Sequence, residues 1–260
     1  MMPASLKHRM QSGEQLNGCF INLFSPLATE IIAHSGFDCI LIDMEHGPGS
    51  FTDAIAMMQA AAGSNCASII RTESSDTAVI KRTMDIGPQG IMIPNVKSAS
   101  EAERIVKDCR YPPAGSRGAA PPVIRGSTFG LRLDDYFRFL ENDFLLILQI
   151  ETGLDNAEVK AIASVQGVDM IFIGPTDLSG SIGTLSDFGS DKFAHAVDEI
   201  ERGTRQASKL LGSIPFGEWT TKKLYESGYS LVLCGFDVVM VRESALSNVE
   251  QARLAANRSP

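Results

Sequence analysis

The sequence has no excess of positive charge and no long hydrophobic run. Its formal net charge is −8 at pH 7, whereas a protein that binds a phosphate backbone needs a basic face. No apolar stretch approaches the ~18 residues of a membrane-spanning helix. Residues 1–18 carry charges where a signal peptide would have its apolar centre. We therefore expect a soluble, cytoplasmic protein with no nucleic-acid or membrane partner.

Paired cysteines and nucleotide-binding motifs are also missing. The five cysteines show no CxxC spacing, and four lie in or beside apolar runs, so we expect buried free thiols and no disulfide or zinc site. Neither GxGxxG nor GxxxxGK[ST] occurs. A Schiff-base aldolase needs a lysine on a barrel strand, and only Lys97 lies near the end of a predicted strand. These absences disfavour zinc, nucleotide and Schiff-base chemistry.

The sequence does contain a regular alternation of apolar runs and helix-like segments. The runs predicted as strands are residues 19–24, 37–44, 67–71, 90–94, 144–148, 169–173, 211–216 and 230–233. Short links between them predict parallel β-α-β units, and a (β/α)8 barrel typically has ~250 residues. We predict an α/β fold, one (β/α)8 TIM barrel over residues 1–260, with an open doubly wound sheet as the alternative.

Two features exceed what eight strand–helix units need. Residues 111–132 form a long Gly-, Pro- and Ser-rich segment that contains Arg117, Arg125 and Arg132, and loops of this length are usually functional or mobile. A further apolar run at residues 236–241 precedes a helix predicted from Ser244 onward. We expect this C-terminal part to pack on a neighbouring subunit.

Charged and polar side chains follow several predicted strands where each leaves the core. They are Asp43 and His46 after the second strand, Arg71 at the end of the third, Gln149 and Glu151 after the fifth, and Asp177 after the sixth. In a barrel the carboxyl ends of the strands surround one opening, where the chemistry of such enzymes takes place. We therefore expect these side chains to converge.

Glu151 and Asp177 are the candidate metal ligands. Two carboxylates without a nearby histidine pair or thiolate favour a hard ion such as Mg²⁺ or Mn²⁺, with open positions for the oxygens of a substrate. The alternative is that each carboxylate caps a helix.

His46, Arg71 and Asp85 are the candidate catalytic residues. Asp43 precedes His46 by three residues and could orient its ring, which favours a catalytic base over a structural histidine. Arg71 offers a permanent cation for developing oxyanion charge, unless it forms a surface ion pair with Glu73 or Asp76. Asp85 lies in the last turn of a predicted helix, where its charge opposes the helix dipole by ~0.3–1 kcal/mol. A compensating group is expected, for example a histidine across a subunit contact, and the alternative is a solvated surface aspartate.

Taken together, these motifs resemble the HpcH/HpaI aldolase family of metal-dependent pyruvate aldolases. The blocks that carry the resemblance are residues 36–48, Arg71, residues 85–87, residues 110–118, residues 149–152 and residues 167–179. They occur in the family's order over nearly the whole chain. Phe20 stands where the family has a bulky aromatic residue, often Trp. Residues 121–132 and 214–221 depart from the family and are expected to border the opening.

The resemblance implies a (β/α)8 barrel that assembles as a hexamer or another trimer-based homo-oligomer. It implies that Glu151 and Asp177 hold Mg²⁺, Mn²⁺ or Co²⁺. It further implies that His46 is the acid/base, that Asp85 increases its basicity and that Arg71 stabilises the transition state. The residues expected to bind a 2-oxo acid such as pyruvate or oxaloacetate are Gln149, Gly174, Pro175, Thr176 and Phe20.

The predicted reaction is the reversible cleavage of a 4-hydroxy-2-oxo acid to pyruvate and an aldehyde. His46 would remove the proton of the C4 hydroxyl, and Arg71 and the metal would stabilise the pyruvate enolate. One alternative keeps the site and changes the reaction to oxaloacetate decarboxylation or to condensation of oxaloacetate with acetyl-CoA, with the three arginines of residues 111–132 as possible CoA contacts. Another alternative is a non-catalytic barrel that binds a metabolite.

Overall fold

The computed structural model describes residues 5–256 and shows a closed parallel barrel whose eight strands follow one another in sequence order. The strands are β1 (Leu16–Ile21), β2 (Cys39–Asp43), β3 (Ala67–Arg71), β4 (Gly90–Ile93), β5 (Leu145–Ile150), β6 (Met170–Ile173), β7 (Leu210–Ser213) and β8 (Leu231–Phe236). β8 pairs with β1 and closes the barrel. The predicted TIM barrel is confirmed, and an open sheet is excluded.

Helices connect the strands on the outside of the barrel. They are α1 (Leu6–Gln11), α2 (Pro26–His34), α3 (Phe51–Ala61), α4 (Thr77–Ile86), α5 (Ala99–Cys109), α6 (Leu133–Asn142), α7 (Asn156–Ala163), α8 (Pro175–Ser181), α9 (Asp191–Gln206), α10 (Thr221–Glu226) and α11 (Asp237–Ala255). Among residues 5–256, no helix is both long enough and apolar enough to cross a bilayer.

The strands are held by apolar side chains on both of their faces. Every residue of β2, β3 and β5 is buried, as expected for parallel strands covered on one side by helices and on the other by the barrel interior. Side-chain caps fix where several helices begin. Ser50 and Asp53, for example, form a reciprocal capping box at α3. The rigid strands therefore carry their carboxyl-terminal residues to fixed positions.

One predicted boundary and three helices differ between the sequence analysis and the structure. The apolar run at residues 236–241 does not precede a helix but forms the end of β8 and the first turn of α11, which begins at Asp237. A short apolar run has no period that separates strand from helix. The short helices α1, α8 and α10 were not predicted.

The long segment after α5 does not border the opening. It lies between the end of α5 and the start of β5, which is the amino-terminal side of the barrel. Arg125 there donates a hydrogen bond to the carbonyl of Ile86 at the end of α4, at 2.7 Å. The expectation for residues 121–132 is therefore wrong, because a helix that follows a barrel strand returns the chain to the opposite end. Residues 214–220, in contrast, follow the carboxyl end of β7 and lie on the side of the opening.

Candidate active site

Arg71 and Asp43 form a buried ion pair at the carboxyl ends of two neighbouring strands. The register of β2 and β3 places the two residues side by side. Arg71 Nε and Nη2 donate hydrogen bonds to the two carboxylate oxygens of Asp43 at 2.9 and 2.7 Å. Burial alone would raise the pKa of Asp43, but these bonds outweigh it and hold the pKa below its ordinary value. Arg71 thus forms a buried, bidentate ion pair with Asp43, and not the surface ion pair with Glu73 or Asp76 that was the alternative.

An aromatic ring supports the other side of Arg71. The guanidinium carbon of Arg71 lies 5.1 Å from the ring centroid of Phe20, and Phe20 is itself buried. Phe236 stacks on Phe20 with 4.6 Å between the ring centroids. Phe20 therefore packs on Arg71, and its assignment to substrate binding stays a prediction.

His46 lies on the loop after β2 and points toward solvent. Its side chain is 62% exposed, and its Nε2 lies 3.9 Å from Oε2 of Glu45. Asp43 does not orient the ring as predicted. Its Oδ1 accepts the backbone N–H groups of Glu45 and His46, at 3.2 and 3.3 Å, because the tight turn brings these amides back over the carboxylate. Asp43 therefore fixes the backbone that carries His46.

Glu45 is a site residue that the sequence analysis missed. Its carboxylate lies between the two candidate catalytic groups, with Oε2 3.2 Å from Arg71 Nη1, an ion pair that lacks hydrogen-bond geometry. Burial raises the pKa of Glu45 although Arg71 and His46 lower it. The only signal in the sequence was its position between Asp43 and His46.

Glu151 is a buried carboxylate at the end of β5. It is 6% exposed, and burial, followed by repulsion from Glu45 and Asp177, raises its pKa to about 7. Gln149 Nε2 donates a hydrogen bond to Glu151 Oε2. Glu151 thus interacts electrostatically with Asp177 and Arg71, as their places at the strand ends predicted, and also with Glu45, which was not predicted.

Gly174 forms the wall beside this carboxylate. A Cβ at position 174 would lie 2.7 Å from both Gln149 Nε2 and Glu151 Oε2, closer than non-bonded atoms can approach. The next residues, Pro175 and Thr176, begin α8, with Pro175 buried and Thr176 exposed. Only glycine fits at this position without displacing Glu151.

Asp177 lies in the first turn of α8, exposed on the side of the opening. The residue that caps α8 is Gly174, and no side chain caps the helix, so the alternative of a capping role for Asp177 is not realised. Its carboxylate is free to face a ligand.

The residues at Glu151 fit a hard divalent cation. All donors are oxygens, which Mg²⁺ and Mn²⁺ prefer, and Oε1 of Gln149 is buried without a hydrogen-bond partner. A cation beside Glu151 would offset the repulsion among the three acids. No group of three or more His, Cys, Asp or Glu side chains within residues 5–256 is arranged to hold a metal, so a site here depends on two acids and additional oxygens.

Asp85 lies at the other end of the barrel. It is in the last turn of α4, next to the start of β4, and accepts a hydrogen bond from Nη2 of the fully buried Arg117 at 2.7 Å. Arg117 therefore compensates the charge of Asp85 against the helix dipole. Because α4 carries its last turn away from the strand ends of its own barrel, Asp85 lies far from the His46 of the same chain. Its effect on the basicity of a histidine across a subunit contact stays a prediction.

Comparison with known proteins places this geometry in a family. A family model described as HpcH/HpaI aldolase/citrate lyase matches residues 16–244. A hydroxypyruvate/pyruvate aldolase of Chromohalobacter salexigens is 35% identical over 241 residues, which are 92% of this chain and 94% of that protein.

Two crystal structures share the barrel closely. An HpcH/HpaI aldolase/citrate lyase family protein from Burkholderia cenocepacia superposes with a TM-score of 0.89 and 29% identity, covering 95% of this chain and 98% of the other. The citrate synthase SbnG superposes with a TM-score of 0.86 and 27% identity, covering 98% and 99%. This chain therefore belongs to the HpcH/HpaI aldolase/citrate lyase family, and it is a carbon–carbon lyase.

Proposed function

We propose that the protein is a divalent-metal-dependent aldolase that reversibly cleaves a 4-hydroxy-2-oxo acid to pyruvate and an aldehyde. The observation that carries the proposal is the buried Glu151 carboxylate, whose pKa is raised to about 7 beside Glu45 and Asp177. A carboxylate in such surroundings needs a positive partner to remain ionised. The hydroxypyruvate/pyruvate aldolase that this chain resembles supports a pyruvate-type product.

Glu151 and Asp177 are the residues that would hold the metal. When bound, a divalent ion acts as a Lewis acid that binds the 2-oxo acid and stabilises negative charge on its C2 oxygen. Gln149 holds Glu151 in place through its amide N–H, and Gly174 packs so closely against both side chains that a Cβ would overlap them. We assign the pyruvate part of the substrate to the backbone of Gly174, Pro175 and Thr176, beside Glu151.

Arg71 supplies fixed positive charge that acts on the Glu151 carboxylate. Its Nε and Nη2 are held by Asp43, so the guanidinium does not need to reorient during the reaction. When the C3–C4 bond breaks, its electron pair moves to form the enolate, and negative charge develops on the C2 oxygen. Preorganised charges of this kind typically contribute several kcal/mol to transition-state stabilisation.

His46 is the proton acceptor of the cleavage direction. Its ring is exposed on the loop after β2, at the open side of the site where the C4 hydroxyl would lie. Removal of that proton leaves an aldehyde when the C3–C4 bond breaks, and one proton must then be added to C3 of the enolate to give pyruvate. The cleavage therefore neither consumes nor releases a proton overall. The reverse reaction uses the same groups.

The proposal is tested by product analysis with the purified protein. Pyruvate is incubated with Mg²⁺ or Mn²⁺ and a series of aldehydes of increasing length, and the products are identified by mass spectrometry. We expect a 4-hydroxy-2-oxo acid from at least one aldehyde and pyruvate release from that product. The absence of carbon–carbon bond formation and cleavage with the whole series would contradict the proposal.

Condensation of oxaloacetate with acetyl-CoA is a second candidate, and the resemblance to a citrate synthase favours it. The arginines considered as CoA contacts do not support it. Arg117 is buried on Asp85, Arg125 binds the carbonyl of Ile86, and Arg132 precedes α6 at the amino-terminal end of the barrel. Incubation with oxaloacetate and acetyl-CoA, followed by a thiol assay, separates the two reactions.

We also propose that the functional form is a homo-oligomer. Residues 241–256 are all exposed, although α11 carries the apolar side chains Val241, Leu246, Val249 and Leu254. Helices in proteins gain most of their stability from tertiary packing of an apolar face, and a second copy of the chain is the partner that a hexamer or trimer-based assembly would supply for α11. Light scattering of the wild type and of V249E tests this proposal, which predicts an oligomer that the substitution weakens.

A further inference from the structure

The junction between β8 and α11 is bound to the loop that follows β1. Asp237, the first residue of α11, is 2% exposed. Its Oδ1 accepts the backbone N–H of Asn22 and its Oδ2 that of Leu23, both at 2.9 Å. Because both oxygens are used, the Asp237 carboxylate fixes the direction in which the chain leaves β1.

A chain of hydrogen bonds continues from this loop to Arg71. The side chain of Asn22 donates from Nδ2 to Oδ2 of Asp43 at 2.7 Å. Asp43 in turn accepts the two bonds from Arg71. Oδ2 of Asp43 thus receives one hydrogen bond from Asn22 and one from Arg71, and the position of the Asn22 carboxamide affects the orientation of the guanidinium.

A second, apolar route begins at the same junction. Phe236, the last residue of β8, stacks on Phe20 with an angle of 5° between the rings. Phe20 presents its ring to the guanidinium of Arg71. The two adjacent residues Phe236 and Asp237 therefore support Arg71 from two sides, one through aromatic packing and one through hydrogen bonds.

We propose that Asp237 is a positioning residue for Arg71, acting through the Asn22 backbone and the Asn22–Asp43 hydrogen bond. The inference rests on the proposed function, because it matters for turnover only if Arg71 stabilises the enolate. Through these hydrogen bonds, Asp237 connects the otherwise exposed helix α11 to Arg71. A small displacement of a catalytic group can lower turnover by ~100-fold.

The first test compares D237N with D53N in the metal-loaded enzyme. Asparagine keeps the size of Asp237 but places an N–H₂ group against one of the two backbone N–H groups. We expect kcat for aldol cleavage to fall by roughly 10- to 100-fold with little change in KM. Asp53 also accepts a backbone N–H at a helix start, that of Ser50, but has no route to the site, so D53N keeps kcat. Equal kcat in D237N and wild type would overturn the proposal.

The second test asks whether Asp237 and Asn22 act through one route. In a double-mutant cycle on kcat, N22A and the combination of N22A with D237N should show nearly the same loss, because residues in one hydrogen-bond network are not additive. Additive losses would mean that Asp237 acts elsewhere. A crystal structure of D237N decides the same point without any assay. Displacement of the Asn22 carboxamide and of the Arg71 guanidinium would support the proposal. An unchanged position of Arg71 would overturn it. Both outcomes can be read even if the wild type proves to have no aldolase activity.

Discussion

The carboxylate of Asp43 binds Arg71 through both of its oxygens, from the neighbouring strand of the barrel. This pair predicts that R71K is not a conservative change, since lysine cannot form the two parallel bonds. We expect R71K to lower kcat by about 10²- to 10³-fold, with a smaller change in KM. Steady-state kinetics measures both, and R82K is the matched control, because the guanidinium carbon of Arg82 also lies over an aromatic ring, that of Phe51, at 4.0 Å from the centroid. Similar kcat values in R71K and the wild type would show that the two hydrogen bonds from Arg71 to Asp43 do not matter for turnover.

Replacement of His46 should remove the proton acceptor without affecting the fold. The side chain is largely exposed, so H46A should unfold at the temperature of the wild type. General base catalysis typically contributes about 10²- to 10⁴-fold, and we expect kcat to fall within that range. H34A changes a histidine in the last turn of α2 and should retain full turnover. Equal losses of kcat in H46A and H34A would contradict the role of His46 as the proton acceptor.

Substitution of Gly174 should lower stability and metal binding although glycine has no functional side chain. In G174A the new Cβ would need the space of Gln149 Nε2 and Glu151 Oε2, and overpacking of this kind costs about 1–3 kcal/mol of unfolding free energy. Displacement of Glu151 should also abolish stabilisation by Mg²⁺ or Mn²⁺ in thermal unfolding. G63A is the control, because the nearest atom to its Cβ would be 4.0 Å away. Unchanged metal response in G174A would contradict the assignment of Glu151.

The raised pKa of Glu151 predicts a pH dependence of stability in metal-free protein. The folded pKa is about 7, against an ordinary value of 4.5, so the folded state binds the proton more tightly than the unfolded state. The unfolding free energy should then decrease as pH rises from about 4.5 to 7, by ~3 kcal/mol from this group. E151Q has no proton to lose and should show a smaller decrease over the same range.

Urea unfolding at several pH values measures this difference. Well below pH 4.5 the wild type and E151Q should respond to pH in the same way, because Glu151 is then protonated in both the folded and the unfolded state. Parallel curves for the two proteins up to pH 7 would show that Glu151 is not a buried, repelled carboxylate.

The barrel was predictable because its strands are apolar runs of consistent length with short links, and because the carboxyl ends of such strands meet. The strand ends predicted the convergence of Arg71, Glu151 and Asp177, which are far apart in sequence. Residues 121–132 were wrongly expected at the opening, because they follow a helix and therefore lie at the opposite end of the barrel. Asp85 lies at that end for the same reason, and its effect on His46 stays a prediction for a contact between subunits. Glu45 and Asp237 were missed because their importance depends on side-chain contacts that no spacing in the sequence specifies.

The most direct test of the proposed function is removal and return of the metal. The enzyme is treated with a chelator, dialysed and assayed for pyruvate release from a 4-hydroxy-2-oxo acid before and after addition of Mg²⁺, Mn²⁺ or Co²⁺, with E151Q as the control. We predict that stripped wild type is inactive, that at least one ion restores pyruvate release, and that E151Q stays inactive at every ion concentration. Full activity of the stripped wild type, or restoration of E151Q to the wild-type rate, would contradict the proposal that Glu151 and Asp177 hold a catalytic metal.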